Sequence, residues 1–145
     1  MQTEYIYNLK EKTVPETIGA KAKNLRFLAQ KSFPMPETFV CTWDAYNEYL
    51  HPNGTQVNDL IKKELSQKLN PTKQYAVRSS ANIEDGTNDS CAGQFKSILN
   101  VTGIENILKA IESIWSSTVS DGVKTYLDKI GADARALRMA VIIQE

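Results

Sequence analysis

Histidine and cysteine, the residues on which most zinc sites depend, are scarce in this sequence. His51 is the only histidine, and its Pro/Asn/Gly turn indicates a surface residue rather than a catalyst. Cys41 and Cys91 belong to no CxxC or Cys/His pattern, which favours two buried thiols over a zinc site or a disulfide. Ser79 and Ser80 have neither a G-x-S-x-G motif nor a nearby histidine, so hydrolase chemistry is not expected.

The sequence also lacks net charge and long apolar runs. Its 17 basic residues balance 17 acidic ones, so no overall field attracts nucleic acid or an anionic membrane. No segment reaches membrane-spanning length, and residues 1–12 do not resemble a signal peptide. With 145 residues, 41% hydrophobic and 23% charged, the chain is expected to form one folded domain in the cytoplasm, without nucleic-acid or membrane partners.

Hydrophobic periodicity predicts an α+β fold in which helices pack against a mixed or antiparallel sheet. The predicted strands are 5–9, 38–42, 75–77, 95–101 and 139–144, and the predicted helices are 21–29, 43–50, 57–69, 104–115 and 122–130. The near-continuous apolar run 139–144 suits a central strand. The strands on either side of the 81–93 loop are expected to form a hairpin-like pair.

Several details follow from residue types at the helix ends and faces. The helix 21–29 is expected to bury Leu25 and Leu28. Thr42 is a candidate N-cap for the next helix. Thr102 and Glu105 have the spacing of a capping box in front of the strongly amphipathic helix that follows.

The segment 75–95, YAVRSSANIEDGTNDSCAGQF, places an arginine at the end of an apolar run, before a long loop of small polar residues. A guanidinium at a strand end suits bidentate binding of phosphate or carboxylate. The alternative is an ion pair of Arg78 with Glu84 or Asp85 that fixes the loop, and the spacing alone slightly favours it. The loop glycines would let backbone amides approach an anion, although the same composition is typical of ordinary turns.

A second candidate anion site is the segment GAKAKNL, residues 19–25. A glycine that leads into a helix carrying an early lysine can hold phosphate through the dipole, the amides and the lysine charge. The spacing is not that of a P-loop. Taken by itself, a glycine–lysine pair of this kind is more often a solvated surface.

Five segments in this order resemble the N-terminal ATP-binding domain of the phosphoenolpyruvate synthase / pyruvate phosphate dikinase family. They are GAKAKNL, FPMPETFVCTWDAYNEYL, AVRSSANIEDGTNDSCAGQFKSILNV, IESIWSS and MAVIIQE. The resemblance extends from about residue 18 to residue 145, and VRSSA, then ED, then S-x-A-G-Q, is its most specific part. It implies the first lobe of an ATP-grasp nucleotide-binding domain, spanning residues 1–145, in which two lobes close on ATP.

The resemblance also implies roles for individual residues. Lys21 and Arg78 match the phosphate-contacting lysine and arginine, with Arg78 also assigned to catalysis. Ser97 lies where relatives usually carry a nucleotide-contacting threonine, and Gln144 lies at the hinge that holds adenine. Ser90 and Gly93 belong to the loop expected over the phosphates. Gly19-Ala20-Lys21 and Ser90-Cys91-Ala92-Gly93 replace the usual GGK and SFAG, changes expected to loosen these loops without abolishing binding.

In the family, ATP phosphorylates a histidine on a mobile domain, which passes the phosphate to an acceptor such as pyruvate. The Mg²⁺ ligands and the phosphohistidine domain lie beyond the segments matched here. Since the sequence stops directly after an apolar strand, the chain is expected to be part of a longer protein and to be inactive alone. The alternative is a stand-alone module that binds a nucleotide or a partner protein without catalysis.

Overall fold

The computed structural model describes residues 4–51, 54–82 and 96–145. Within these ranges the strands are β1 (Ile6–Asn8), β2 (Thr38–Cys41), β3 (Gln74–Ala81), β4 (Ser97–Thr102) and β5 (Met139–Gln144). The helices are α1 (Gly19–Gln30), α2 (Trp43–Leu50), α3 (Thr55–Lys68), α4 (Ile104–Ser117) and α5 (Asp121–Ile130), and a 3-10 turn covers Ala134–Ala136. None of these described helices has the length and apolar character needed to cross a membrane.

The strands form a single sheet in the order β1-β2-β5-β3-β4, and each neighbouring pair is antiparallel. The predicted α+β fold with a helix-packed sheet is confirmed. The predicted hairpin-like pair is β3 and β4. The apolar strand β5 lies in the centre, between β2 and β3, as its composition predicts.

Helices cover both faces of the sheet, which explains why β5 is apolar from Met139 to Ile143. Side chains of successive strand residues point to opposite faces. Met139, Val141 and Ile143 join the larger core cluster with residues of α2, α3, α4 and α5. Ala140 and Ile142 join a smaller cluster that includes Ala22 of α1. The sheet therefore has one face covered by α2, α3, α4 and α5. The opposite face, the α1 face, is covered by α1.

Helix α4 buries the stripe that its periodicity predicts, but it does not begin with the predicted capping box. Thr102 is the last residue of β4, Gly103 occupies the N-cap at φ +94°, and no side chain caps the helix. Glu105 forms an ion pair with Lys62 of α3 instead. The hydrogen bond from Lys62, together with its charge, lowers the pKa of Glu105. Because the chain turns from β4 into α4 at Gly103, the Glu105 side chain faces α3 rather than the N-terminus of α4.

Two further predictions about helix ends and faces are corrected. In α1 the buried residues are Gly19 and Ala22, whereas Leu25 is half-buried and Leu28 is 39% exposed. The helix meets the sheet through the small residues of its first turn. Leu25 therefore packs against the smaller core cluster only in part, and Leu28 lies further along the helix with more of its surface exposed. Thr42 does occupy the N-cap of α2, but its side chain makes no capping bond.

Cys41 is fully buried in β2, as expected for a thiol that acts as a small apolar residue. Burial, and secondarily the charge of Glu64, raises the pKa of the Cys41 thiol far above its usual range. The thiolate form is therefore suppressed, and Cys41 is not a nucleophile at neutral pH. Cys91 lies outside the described residues.

Side chains of α3 protect the free edge of the short strand β1. The Glu64 carboxylate accepts hydrogen bonds from the backbone N–H groups of Tyr5 and Ile6, at 2.9 and 2.6 Å. Lys68, one turn later on the same helix, donates to the backbone oxygen of Ile6. Exposed strand edges need such cover to avoid pairing with other chains.

We expect Glu64→Ala to lower the free energy of unfolding by about 2 kcal/mol, because it removes a charged acceptor and leaves buried donors unsatisfied. Urea denaturation followed by circular dichroism measures the change. Lys63→Ala, at the neighbouring exposed position of α3, is the matched control and should leave the midpoint in place. Equal midpoints for the two variants would show that Glu64 does not stabilise β1.

Candidate functional site

Arg78 lies within strand β3 and not at its end, which corrects the position predicted from the sequence. The strand continues to Ala81 because Ser79, Ser80 and Ala81 keep their pairing with Val141, Ala140 and Met139 of β5. The Arg78 side chain, which is half-buried, therefore stands on a sheet face instead of projecting from a strand tip.

The sheet register places three of the predicted site residues on one face. Ser97 of β4 is the direct cross-strand partner of Arg78, and side chains of directly opposed residues share a face. Gln144 of β5 is the partner of Ala76, two residues before Arg78 and thus on the same side of the strand. Arg78, Ser97 and Gln144 consequently share the α1 face, on three adjacent strands.

Lys21 reaches this region from α1. Its Nζ donates a hydrogen bond to the backbone oxygen of Ser79, at 3.0 Å. Ser79 directly follows Arg78, so the structure brings both predicted phosphate ligands to the same stretch of β3. The two positive charges come from elements that are far apart in sequence, since Lys21 and Ser79 are separated by 58 residues.

Ser80 joins α1 to β3, although no motif in the sequence marks it for this role. Its side chain has no exposed surface. The hydroxyl donates to the backbone oxygen of Ile18 at 2.8 Å and accepts from the backbone N–H of Ala22 at 3.1 Å. Strand alternation from Arg78 is the signal that points to it, because Ser80 is the next residue on the α1 face.

An open cavity of about 360 Å³ lies beside Arg78. The residues that line it are Gln74, Tyr75, Ala76, Arg78, Leu99, Asn100, Gln144 and Glu145. A β-bulge in β4 contributes to its wall, since the register between β3 and β4 shifts between Tyr75 and Val77 and Asn100 has φ +57°. Bulges change the direction of side chains near functional sites. Here the bulge lies next to Leu99, whose side chain is exposed at the cavity.

Two polar side chains of the cavity, Gln144 and Glu145, are held by neighbours outside it. The Gln144 amide Nε2 donates to Thr38 Oγ1 at 3.0 Å, which orients the carboxamide. The Glu145 carboxylate binds Lys73 Nζ at 2.6 Å, and this hydrogen bond raises the pKa of Lys73. Because Lys73 neutralises Glu145, the Arg78 charge dominates the electrostatics among the cavity-lining residues that the structure describes. The arrangement favours an anion next to Arg78.

Ser90 and Gly93, the predicted loop residues over the phosphates, lie outside the described residues, as do Glu84 and Asp85. The role of Arg78, as phosphate ligand or as ion-pair partner, is therefore judged from the described part of the site.

Among residues 4–51, 54–82 and 96–145, no group of three histidine, cysteine, aspartate or glutamate side chains is arranged to hold a metal ion.

Comparison with known proteins identifies the family of this chain. The family profile described as the pyruvate phosphate dikinase AMP/ATP-binding domain matches residues 59–145. The chain belongs to this family. The matched segment contains Arg78, Ser97 and Gln144, whereas Lys21 lies before it.

Several curated relatives of this chain are named as phosphotransferases or transferases. A rifampicin phosphotransferase of Streptomyces sp is 43% identical over 70 residues, or 48% of this chain and 8% of the relative. The prodigiosin synthesizing transferase PigC of Serratia marcescens is 27% identical over 90% of this chain and 17% of its own length. The phosphoenolpyruvate synthase of Aeropyrum pernix is 24% identical over 88% of this chain and 21% of its own length. The chain thus corresponds to a small part of each relative.

Proposed function

We propose that this chain is the first lobe of the ATP-grasp nucleotide-binding domain of a dikinase-type phosphotransferase. In this proposal ATP phosphorylates a histidine on another domain of the protein, and the phosphohistidine passes the group to an acceptor such as pyruvate. The observation that carries the proposal is the position of Arg78, Ser97 and Gln144 on one sheet face, with Lys21 bound to the adjacent backbone.

The charges of this face suit phosphoryl transfer. Such reactions depend on positioning and on neutralising phosphate charge more than on covalent chemistry by the protein. Arg78 offers a planar fork of donors for bidentate contact with phosphate oxygens, and Lys21 offers a point charge. Ser97, exposed opposite Arg78, adds a hydroxyl at the same level of the sheet. We assign these three residues to the phosphates, with Arg78 as the catalytic group.

The cavity suits the base of the nucleotide. Ala76 and Leu99 provide an apolar wall, while Gln144 provides a carboxamide, and ligand sites combine these features to bind and orient a flat polar ring. At about 360 Å³, the cavity falls at the small end of the ~300–1,000 Å³ typical of ligand sites. It holds part of ATP, so we propose that a second lobe closes over the remainder.

In this proposal the Mg²⁺ ligands and the histidine belong to other parts of the protein. Magnesium prefers carboxylate and phosphate oxygens. Glu145, the carboxylate at the described cavity, is already paired with Lys73. The described residues therefore do not fit a protein-held magnesium site, and we place the Mg²⁺ ligands and the phosphohistidine domain outside them. The cytoplasmic location expected from the sequence stays a prediction.

Labelling with radioactive ATP distinguishes this enzyme from the alternative, a module that binds nucleotide without catalysis. The experiment uses the full polypeptide encoded by the gene that contains residues 1–145. Acid-labile, covalent incorporation of phosphate on a histidine supports the phosphotransferase. Saturable ATP binding without any incorporation would support the module instead.

Lys21→Ala is expected to weaken ATP binding by this polypeptide about tenfold or more, since charge-assisted hydrogen bonds contribute roughly 1.5–3 kcal/mol. Isothermal titration calorimetry gives the dissociation constant. Lys23→Ala is the matched control, because Lys23 lies on the same helix with an exposed side chain that pairs with Glu16. Unchanged affinity in Lys21→Ala would remove Lys21 from the proposed site.

A further inference from the structure

We propose that Ser80 is the positioning residue of the phosphate site, which acts by fixing the start of α1 and with it Lys21. This inference rests on the proposed function, because it takes Lys21 to be a phosphate ligand. It assigns a task to the second serine of the VRSS segment, which follows Arg78 on the same face of β3.

The Ser80 hydroxyl bridges two backbone groups of the first turn of α1. In an ordinary helix the N–H of residue 22 would bond to the oxygen of residue 18. Here Ser80 Oγ binds both of them, as donor to Ile18 and acceptor from Ala22. The short Ser80 side chain of β3 thus holds α1 by two backbone groups of the helix. The position of the first turn therefore does not depend on long, flexible side chains.

The contact between helix and strand leaves no room for adjustment. Gly19 has φ +82°, and a Cβ added to it would lie 2.2 Å from the Ser80 backbone oxygen and 2.4 Å from Oγ. Both the conformation and the space require glycine here. The close approach explains why residue 19 is a glycine.

Three consecutive residues of β3 therefore have complementary tasks. Arg78 faces the cavity, the Ser79 backbone oxygen receives Lys21 Nζ, and Ser80 seats the helix that carries Lys21. A lysine side chain is long and flexible, so its charge is directed only if its backbone is fixed. Displacement of a binding group by about 1 Å reduces reaction rates about 100-fold, so a fixed first turn matters for function as well as for stability.

A double-mutant cycle tests the inference on the full polypeptide, with ATP affinity measured by calorimetry and stability by thermal unfolding. We expect Ser80→Ala to weaken ATP binding about tenfold, the loss of one charged hydrogen bond. In a Lys21→Ala background the same change should alter affinity less than about twofold, since residues in one network are not additive. The melting temperature should fall by the same amount in both backgrounds.

Ser117→Ala is the matched control. Ser117 is 9% exposed, and its hydroxyl donates to the backbone oxygen of Ile114 within α4. The variant removes a buried serine hydroxyl away from the proposed site, so ATP affinity should equal that of the parent. Ser80→Cys, which keeps the volume but bonds weakly, replaces Ser80→Ala in the cycle if the alanine variant does not fold.

The outcomes separate the inference from the proposed function. If Ser80→Ala binds ATP normally, or loses the same affinity with and without Lys21, Ser80 has only a structural role and the inference is overturned. If Lys21→Ala itself binds ATP normally, the assigned role of Lys21 fails and the inference fails with it. Loss of affinity in Lys21→Ala combined with normal affinity in Ser80→Ala overturns the inference alone.

Discussion

Arg78→Ala should reduce ATP-dependent phosphorylation of the full polypeptide by about 10²–10³-fold, the usual effect of removing one preorganised donor to a developing charge. The half-buried guanidinium stands beside the cavity, and its sheet neighbours hold its backbone from both sides. Removing it leaves the face without the planar fork of donors to which we assign the phosphates. Transfer of label from radioactive ATP, measured under single-turnover conditions, gives the rate.

The variant should remain folded, because Arg78 contributes no apolar side chain to either core cluster. Arg135→Ala is the matched control, since the Arg135 side chain is 92% exposed and pairs only locally with Asp133. Arg78→Lys should recover a small part of the rate, because lysine keeps the charge but not the bidentate geometry. A normal labelling rate in Arg78→Ala contradicts the assignment of Arg78 as the catalytic group.

Trp115→Ala should destabilise the fold by about 3–5 kcal/mol, the range for removing a buried tryptophan. Trp115 is 1% exposed, its ring lies 5.0 Å from that of Tyr49, and its Nε1 donates to the backbone oxygen of Met139 at 3.1 Å. The side chain thus links α4 to α2 and to the central strand. A loss of this size is a large part of the ~5–15 kcal/mol that stabilises a typical domain.

Guanidinium denaturation monitored by far-UV circular dichroism measures this change. Trp115→Phe keeps most of the packing and removes the N–H donor, so it should cost roughly 1–2 kcal/mol. Val119→Ala, at an exposed position just after α4, controls for a loss of apolar volume without a cavity. If Trp115→Ala and Val119→Ala unfold at the same midpoint, the cluster around Trp115 does not stabilise the domain.

The elements predicted correctly from the sequence are those whose pattern is local. Helix α4 repeats apolar residues at the helical period, and the first five residues of β5 are apolar because both faces of the strand are covered. In α5 the terminating Gly131 adopts φ +74°, the left-handed conformation that ends helices. Each of these signals depends on a few neighbouring residues, and no distant partner overrides it.

The errors arise where a distant partner decides the structure. Glu105 pairs with Lys62 of another helix instead of capping its own. The strand β3 extends beyond Arg78 because Ser79, Ser80 and Ala81 pair with β5, a partner about 60 residues away in sequence that no local pattern reveals. For the same reason the link between Ser80 and the first turn of α1 has no signal within its own segment.

The central place of β5 imposes an order on folding. Strands β1 and β2 lie on one side of it and β3 and β4 on the other, so the two halves of the sheet meet only through residues 139–144. Gln144 and its partner Thr38 are 106 residues apart, and loops of such length form slowly because closure entropy must be overcome first. During synthesis the ribosome must therefore release β5 before the sheet can close. Until then the early strands exist as small separate pairs, which are marginally stable in water.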